Sequence, residues 1–152
     1  MAKMGKFKVK GLKEFQKNLE KIQDPDAFVE ACAKELAARL LAKVVKRTPV
    51  GQYPSGSGKS GGTLRRGWTG GKRASASGYV DSLTVHHFGN TYVIEIVNPV
   101  EYASYVEFGH RTRNHKGWVE GRFMMTISEQ ELQTIAPKVL EAKVMKYLKG
   151  CF

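Results

Sequence analysis

The chain is poor in cysteine and proline, has no long apolar run, and over one long stretch has no acidic residue at all. Only Cys32 and Cys151 occur in its 152 residues. They lie far apart and fit no metal-ligand spacing, which argues against a disulfide scaffold or a zinc site and suits two inert thiols in a reducing cytoplasm. No apolar run approaches the roughly 18 to 20 residues that a bilayer span needs, so no membrane association is expected. The charged N-terminus MAKMGKFKVKG is not backed by the apolar stretch of a secretory signal. No internal repeat is visible. The length suits one domain, residues 1–152, with a single core.

The most informative absence is of acid. Between Glu35 and Asp81 stand nine basic residues (Arg39, Lys43, Lys46, Arg47, Lys59, Arg65, Arg66, Lys72 and Arg73) and no Asp or Glu. The formal net charge is +11, and the remaining 16 basic and 14 acidic residues leave only +2 elsewhere. The charge is therefore local. Residues 51–78 also hold nine glycines and five serines. Such a composition buries too little apolar surface to offset the entropy of ordering it. The expectation is a long, flexible basic arm that adds nothing to the core and that meets a polyanion or an assembly partner rather than a substrate.

Periodicity supplies the body. Phe7 and Val9 alternate with lysines as a short strand, and Leu12, Phe15, Leu19 and Ile22 recur at helical spacing. Asp24-Pro25 gives an N-cap and a proline at the first helical position. A second helix follows, with Phe28, Cys32, Leu36, Leu40 and Val44 on one stripe, widened by Val29, Leu41 and Val45, and Thr48-Pro49 stops it. Lys43, Lys46 and Arg47 in its last turn either complement the helix dipole or take a binding role. Residues 79–88 and 91–97 read as strands joined by Gly89-Asn90, a two-residue hairpin signal; in the second, Tyr92, Ile94 and Ile96 face one way and Val93, Glu95 and Val97 the other. Residues 100–108 suggest one or two helical turns capped by Gly109, and 110–121 a second basic, polar loop. The C-terminal part is helical, with Leu132, Ile135, Val139, Leu140, Val144, Tyr147 and Leu148 on one side. Ser128 and Glu131 have capping-box spacing, Phe123, Met124 and Ile127 would extend the helix upstream, and Pro137 is expected to kink or split it. The fold class is α+β: a small, mainly antiparallel sheet against N-terminal and C-terminal helices, with the basic loop at 51–78.

Catalytic motifs do not survive their context. Gly56-Ser-Gly58-Lys-Ser-Gly61 satisfies the letters of GxGxxG, and Gly58-Lys59-Ser60 those of a phosphate-loop tail. Yet neither follows a strand or opens a helix, and Tyr53 stands where a Walker loop needs glycine. His86 and His87 point to opposite faces of a strand, while His110 and His115 flank Arg111 and Arg113, which repel a cation. The serines lie mainly in the arm, without a base held nearby. No enzyme activity, cofactor or metal is expected. Tyr53, Trp68 and Tyr79 in or beside the arm, and Trp118 in the second loop, interleave with cations. That pattern serves base stacking, a protein hot spot, or packing onto the body.

Three ordered stretches resemble one family. Phe7-Lys-Val9-Lys-Gly11-Leu12, then Thr48-Pro49-Val50-Gly51 with Gly62-Thr63-Leu64-Arg65-Arg66-Gly67-Trp68, then Pro99-Val-Glu-Tyr102-Ala103-Ser-Tyr105-Val106-Glu107-Phe108-Gly109-His110, are similar to segments of the neck and tail-completion proteins of long-tailed bacteriophages and related prophages. The resemblance implies a small α+β virion protein that joins head to tail or completes the tail end. It implies a homo-oligomeric ring in the neck or tail, assembled in the host cytoplasm, with the head connector and tail-terminator or tail-tube proteins as partners. It also implies an assembly interface of Arg65, Arg66, Trp68, Tyr102, Tyr105, Glu107, Phe108 and Gly109. Residues 52–61 are an insertion relative to the family pattern. Lys59, Lys72 and Arg73 are the candidates for facing DNA in the channel. Tyr102, Tyr105 and Phe108 form a subunit contact or fasten their helix to the core. The alternative function is a free-standing, non-specific nucleic-acid-binding protein.

Overall fold

The computed structural model describes residues 24–150. The expected strand at Phe7 and Val9, the helix from Leu12 to Ile22, and Cys151 lie outside them. Helix α1 (Pro25–Arg47) begins and ends where its residue types dictate. The Asp24 carboxylate accepts from the Ala27 N–H at 3.0 Å, Pro25 occupies the first turn, and the Thr48 N–H closes the last turn on the Val44 carbonyl. Its buried residues are Cys32, Ala37, Leu41 and Val44, followed by Thr48. Cys32, Leu41 and Val44 belong to the expected stripe and its widening, but the buried line shifts toward Ala37 and Leu41 and leaves Leu36 and Leu40 half-buried at the edge. The shift follows from α1 having neighbours on two sides, α3 (Ala76–Asp81) and α5 (Met124–Lys149).

Between α1 and α3 the chain forms the short helix α2 (Thr63–Gly67). Here the expectation that residues 51–78 add nothing to the core is corrected. Leu64 and Trp68 are 5 % and 6 % exposed and join Ala37, Leu41, Val44, Val80 and Met124 in one cluster. Two large apolar side chains four residues apart outweigh the glycines around them. A second correction concerns residues 79–88, expected as a strand. The Ser75 hydroxyl accepts from the Gly78 N–H at 3.1 Å and starts α3, Val80 is fully buried, and the strand begins only at His86. Val80 is the one β-branched residue between Ala76 and Ser82, so little there opposes a helix.

The strands β1 (His86–Phe88) and β2 (Thr91–Val93) pair antiparallel through the expected turn, with Gly89 at φ 62°. The ladder is shorter than expected, but the alternation persists beyond it. Ile94 and Ile96 pack on the core while Glu95 and Val97 are exposed. Helix α4 (Ala103–Phe108) ends at Gly109, as its sequence indicates. The expected loop at 110–121 is instead a second antiparallel hairpin, β3 (Gly109–Arg111) with β4 (Trp118–Glu120). Its turn is closed by the Thr112 N–H on the Gly117 carbonyl at 2.9 Å. The fold is α+β, with helices and two small two-stranded antiparallel sheets. Helix α5 runs from Met124, upstream of the capping-box spacing, and continues through Pro137 rather than splitting there. None of the described helices is long and apolar enough to cross a membrane.

Candidate assembly surface

The eight residues expected at an assembly interface divide into five buried or half-buried residues that shape the protein and three exposed ones that face outward. Thr48 organises the first group. It is completely buried at the end of α1, and its hydroxyl donates to the Val44 carbonyl at 2.7 Å and accepts from the Trp68 indole N–H at 2.8 Å. Its carbonyl receives Nε and Nη2 of Arg65 at 3.1 and 2.7 Å. Arg66 reaches back to the Gly61 carbonyl at 3.3 Å. The two separate motifs around Thr48-Pro49 and Leu64-Arg65-Arg66-Gly67-Trp68 are thus two halves of one hydrogen-bonded joint. Asn98 completes it: its side-chain N–H donates to the Leu64 carbonyl at 2.8 Å, and its side chain fills the space where a Cβ on Gly67 would stand.

Glu107 and Gly109 build a second joint. Glu107 is 7 % exposed, and its carboxylate accepts from the N–H groups of Met125 and Thr126, both at 2.9 Å, and from the Thr126 hydroxyl at 2.8 Å. A carboxylate on the first N–H groups of α5 satisfies donors that the helix itself cannot and sits favourably against the dipole. Its backbone carbonyl also receives the N–H of Phe123, a residue in the left-handed region at φ 48°. Gly109 has φ 85°, and a Cβ there would meet the Val119 carbonyl. No sequence signal marked Glu107 as a cap, because helix and cap come from chain segments separated by a hairpin.

Tyr102, Tyr105 and Phe108 are the three that face outward. They are 46 %, 59 % and 62 % exposed on a helix of under two turns. The hairpin beside them adds Trp118 and Val119, which are also exposed. Tyr105 stands edge-on to His110, with ring centres 5.8 Å apart. Of the alternatives for these aromatics, packing onto the core applies to Trp68 and not to Trp118, Tyr105 or Phe108.

The basic stretch divides in the same way. Arg39 pairs with Glu35 at 2.9 Å, and Lys43 and Arg47 converge on Glu131 at 3.0 and 2.6 Å. Hydrogen bonds from Arg47 and then from Lys43 hold the Glu131 carboxyl below the usual range. Arg47 also donates to Ser128 at 3.1 Å. The cations at the end of α1 therefore tie it to α5. Burial, foremost, pushes the Cys32 thiol up from its ordinary value, which disfavours the reactive thiolate. Lys59, Lys72 and Arg73 are exposed, and none of them has an ion pair among the described residues.

Among known proteins, the family model for HK97-gp10-like proteins, described as a bacteriophage tail component, matches residues 13–109. No curated protein and no solved structure matches the chain. The matched span takes in both halves of the Thr48 joint and ends on Gly109, the glycine that terminates α4. It covers more than half of the 152 residues, and the chain belongs to the HK97-gp10-like family of bacteriophage tail components.

Proposed function

We propose that this tail component works at the tail end or neck of the virion, where it completes the tail or joins it to the head as a homo-oligomeric ring. The observation that supports this reading is the exposed aromatic ridge of Tyr102, Tyr105 and Phe108 with Trp118 and Val119 beside it. Contiguous exposed apolar surface on short, well-braced elements is the signature of a protein–protein contact. The bracing comes from Glu107 and Gly109, so those residues, like Arg65, Arg66 and Trp68, serve assembly by holding the surface rather than by touching a neighbour. The occupant of the ridge is a second copy of the chain, and the head connector and the tail-terminator or tail-tube proteins meet the ring so formed. The role is structural rather than catalytic.

Tyr105→Ser combined with Phe108→Ser tests it. Both side chains are more than half exposed, so the melting temperature should hold. Subunit association, read by native mass spectrometry, and in vitro joining of heads to tails should both be lost. Wild-type association and joining by this variant would sink the reading.

A further inference from the structure

Residues 52–73 show opposite characters on their two sides. The apolar members, Leu64 and Trp68, turn inward and are buried. What remains outside is mostly glycine, serine and charge, with Tyr53 the one exposed aromatic. The loop 52–60 is drawn together at its base, where the Gly51 carbonyl fills the space a Cβ on Gly61 would need. At its tip, Gly56 and Gly58 have positive φ and open space around them. The Lys59 ammonium lies 6.0 Å from the centre of the Tyr53 ring, the one outward aromatic of this stretch. Beyond α2 the chain turns through Gly70 and Gly71, both at positive φ, and is tied by the Gly71 N–H to the Arg66 carbonyl at 2.9 Å and by the Thr69 hydroxyl to the Lys72 carbonyl at 2.7 Å. That turn leaves Lys72 and Arg73 exposed.

We propose that this outward side is a contact surface for the phosphate backbone of double-stranded DNA, carried by Lys59, Lys72 and Arg73. Five of the nine cations of the acid-free stretch have structural partners: Arg39, Lys43 and Arg47 bind carboxylates, and Arg65 and Arg66 bind backbone carbonyls. Of the other four, Lys46 is exposed in the last turn of α1, where it complements the helix dipole, and Lys59, Lys72 and Arg73, all within this segment, have no such task. A protein partner is the weaker match, because protein hot spots need apolar anchors in a desolvated pocket, and here Leu64 and Trp68 face the protein's own core while Tyr53 is the one exposed aromatic and has a cation beside it. A phosphate backbone needs no anchor. It asks only for cations with reach, and it is read without base contacts. Glycine-rich backbone gives that reach. The surface shares no residue with the aromatic ridge, so DNA contact and subunit contact are separable, and the inference does not rest on the ring.

The test is titration of the full-length protein with a short mixed-sequence DNA duplex at several salt concentrations. Wild-type affinity should be non-specific, with Kd roughly 10⁻⁴ to 10⁻⁶ M at physiological salt. The triple variant Lys59→Gln, Lys72→Gln, Arg73→Gln should bind more weakly, and its slope of log K against log salt should be shallower by about 2.7, since each lost phosphate contact removes about 0.9. An equal charge change on α5, Lys138→Gln, Lys146→Gln, Lys149→Gln, should leave the slope near wild type. The ridge variant Tyr105→Ser, Phe108→Ser should bind DNA as wild type does, so failure of the ridge and failure of this surface are told apart. Equal losses in the two charge variants would mean that net charge alone binds DNA, and an unchanged slope in the first would mean that these cations do not touch it. Loss of poly-L-glutamate binding with DNA binding intact would assign the surface to an acidic protein. Each of these three results overturns the proposal.

Discussion

Replacing Thr48 by valine isolates the joint that fixes the basic segment to the body. Valine matches threonine in shape but presents a methyl where the hydroxyl stood. The Val44 carbonyl loses one donor yet keeps the Thr48 N–H at 2.9 Å. The Trp68 indole N–H has no such reserve: it is buried, and its bond to the Thr48 hydroxyl at 2.8 Å is the only one it makes. Leaving a buried donor unsatisfied costs about 1 to 3 kcal/mol. At about 2 to 4 °C per kcal/mol for a protein of this length, a central cost of about 2 kcal/mol lowers Tm by about 4 to 8 °C. Trp68→Phe removes the donor instead and leaves a gap, at about 1 to 3 kcal/mol. In the double variant the orphaned donor is gone, so the combined loss should fall short of the sum by about 1 to 2 kcal/mol. The assay is thermal and urea unfolding followed by circular dichroism, which avoids relying on the tryptophan being changed. A Tm within about 1 °C of wild type for Thr48→Val, or strict additivity in the double variant, would refute the hydrogen bond as the element that holds Trp68.

Limited trypsin digestion should cut first at Lys59, Lys72 or Arg73, which are exposed, and later at Arg65, whose guanidinium is bound to Thr48; early fragments ending at Arg65 would contradict this. Glu131 should contribute to acid unfolding. Its folded pKa lies below the unfolded value of about 4.3, so its stabilisation is complete above that pH and is lost as pH falls through the lower, folded value. Glu131→Gln should therefore flatten stability against pH below about 4.3, and an unchanged acid limb would show that the link to Arg47 and Lys43 does not form. Gly109→Ala puts a Cβ against the Val119 carbonyl at a φ of 85°, and should lower stability by about 1 to 3 kcal/mol in urea unfolding; a neutral result would mean that β3 and β4 do not approach so closely.

Local chemistry was legible where it acts within a few residues. Asp24-Pro25, Thr48-Pro49, Gly89-Asn90 and Gly109 each marked an element end that the structure places there. Three-residue strands such as Trp118–Glu120 are too short to show a period of two against a polar background, so the second hairpin passed for a loop. The helix Ala76–Asp81 was divided between the arm and a strand starting at Tyr79 because Tyr79 and Val80 favour strands by type, while the deciding event, the Gly78 N–H donating to the Ser75 hydroxyl, is a cap. In the basic segment, glycine and serine content hid the spacing of Leu64 and Trp68, two apolar residues on one face of a helical turn. The roles of Glu107 and Asn98 depend on partners brought together only by the fold. Exposure, which separates Tyr105 and Phe108 from Trp68 and Glu107, likewise exists only once the chain is folded.

The close approach of Gly51 and Gly61 makes the loop between them an appendix to the fold rather than part of it. Its two ends lie against each other at its base, so what hangs between them can lengthen without moving Thr48 or α2. Doubling such a loop costs only about 0.6 kcal/mol in closure entropy. A lineage could therefore retune the reach of this loop by insertion and deletion while leaving the domain unaltered. The same property marks the tip, near Gly56 and Gly58, as the place to graft a fluorophore-bearing cysteine or an epitope and follow the subunit into the assembling particle.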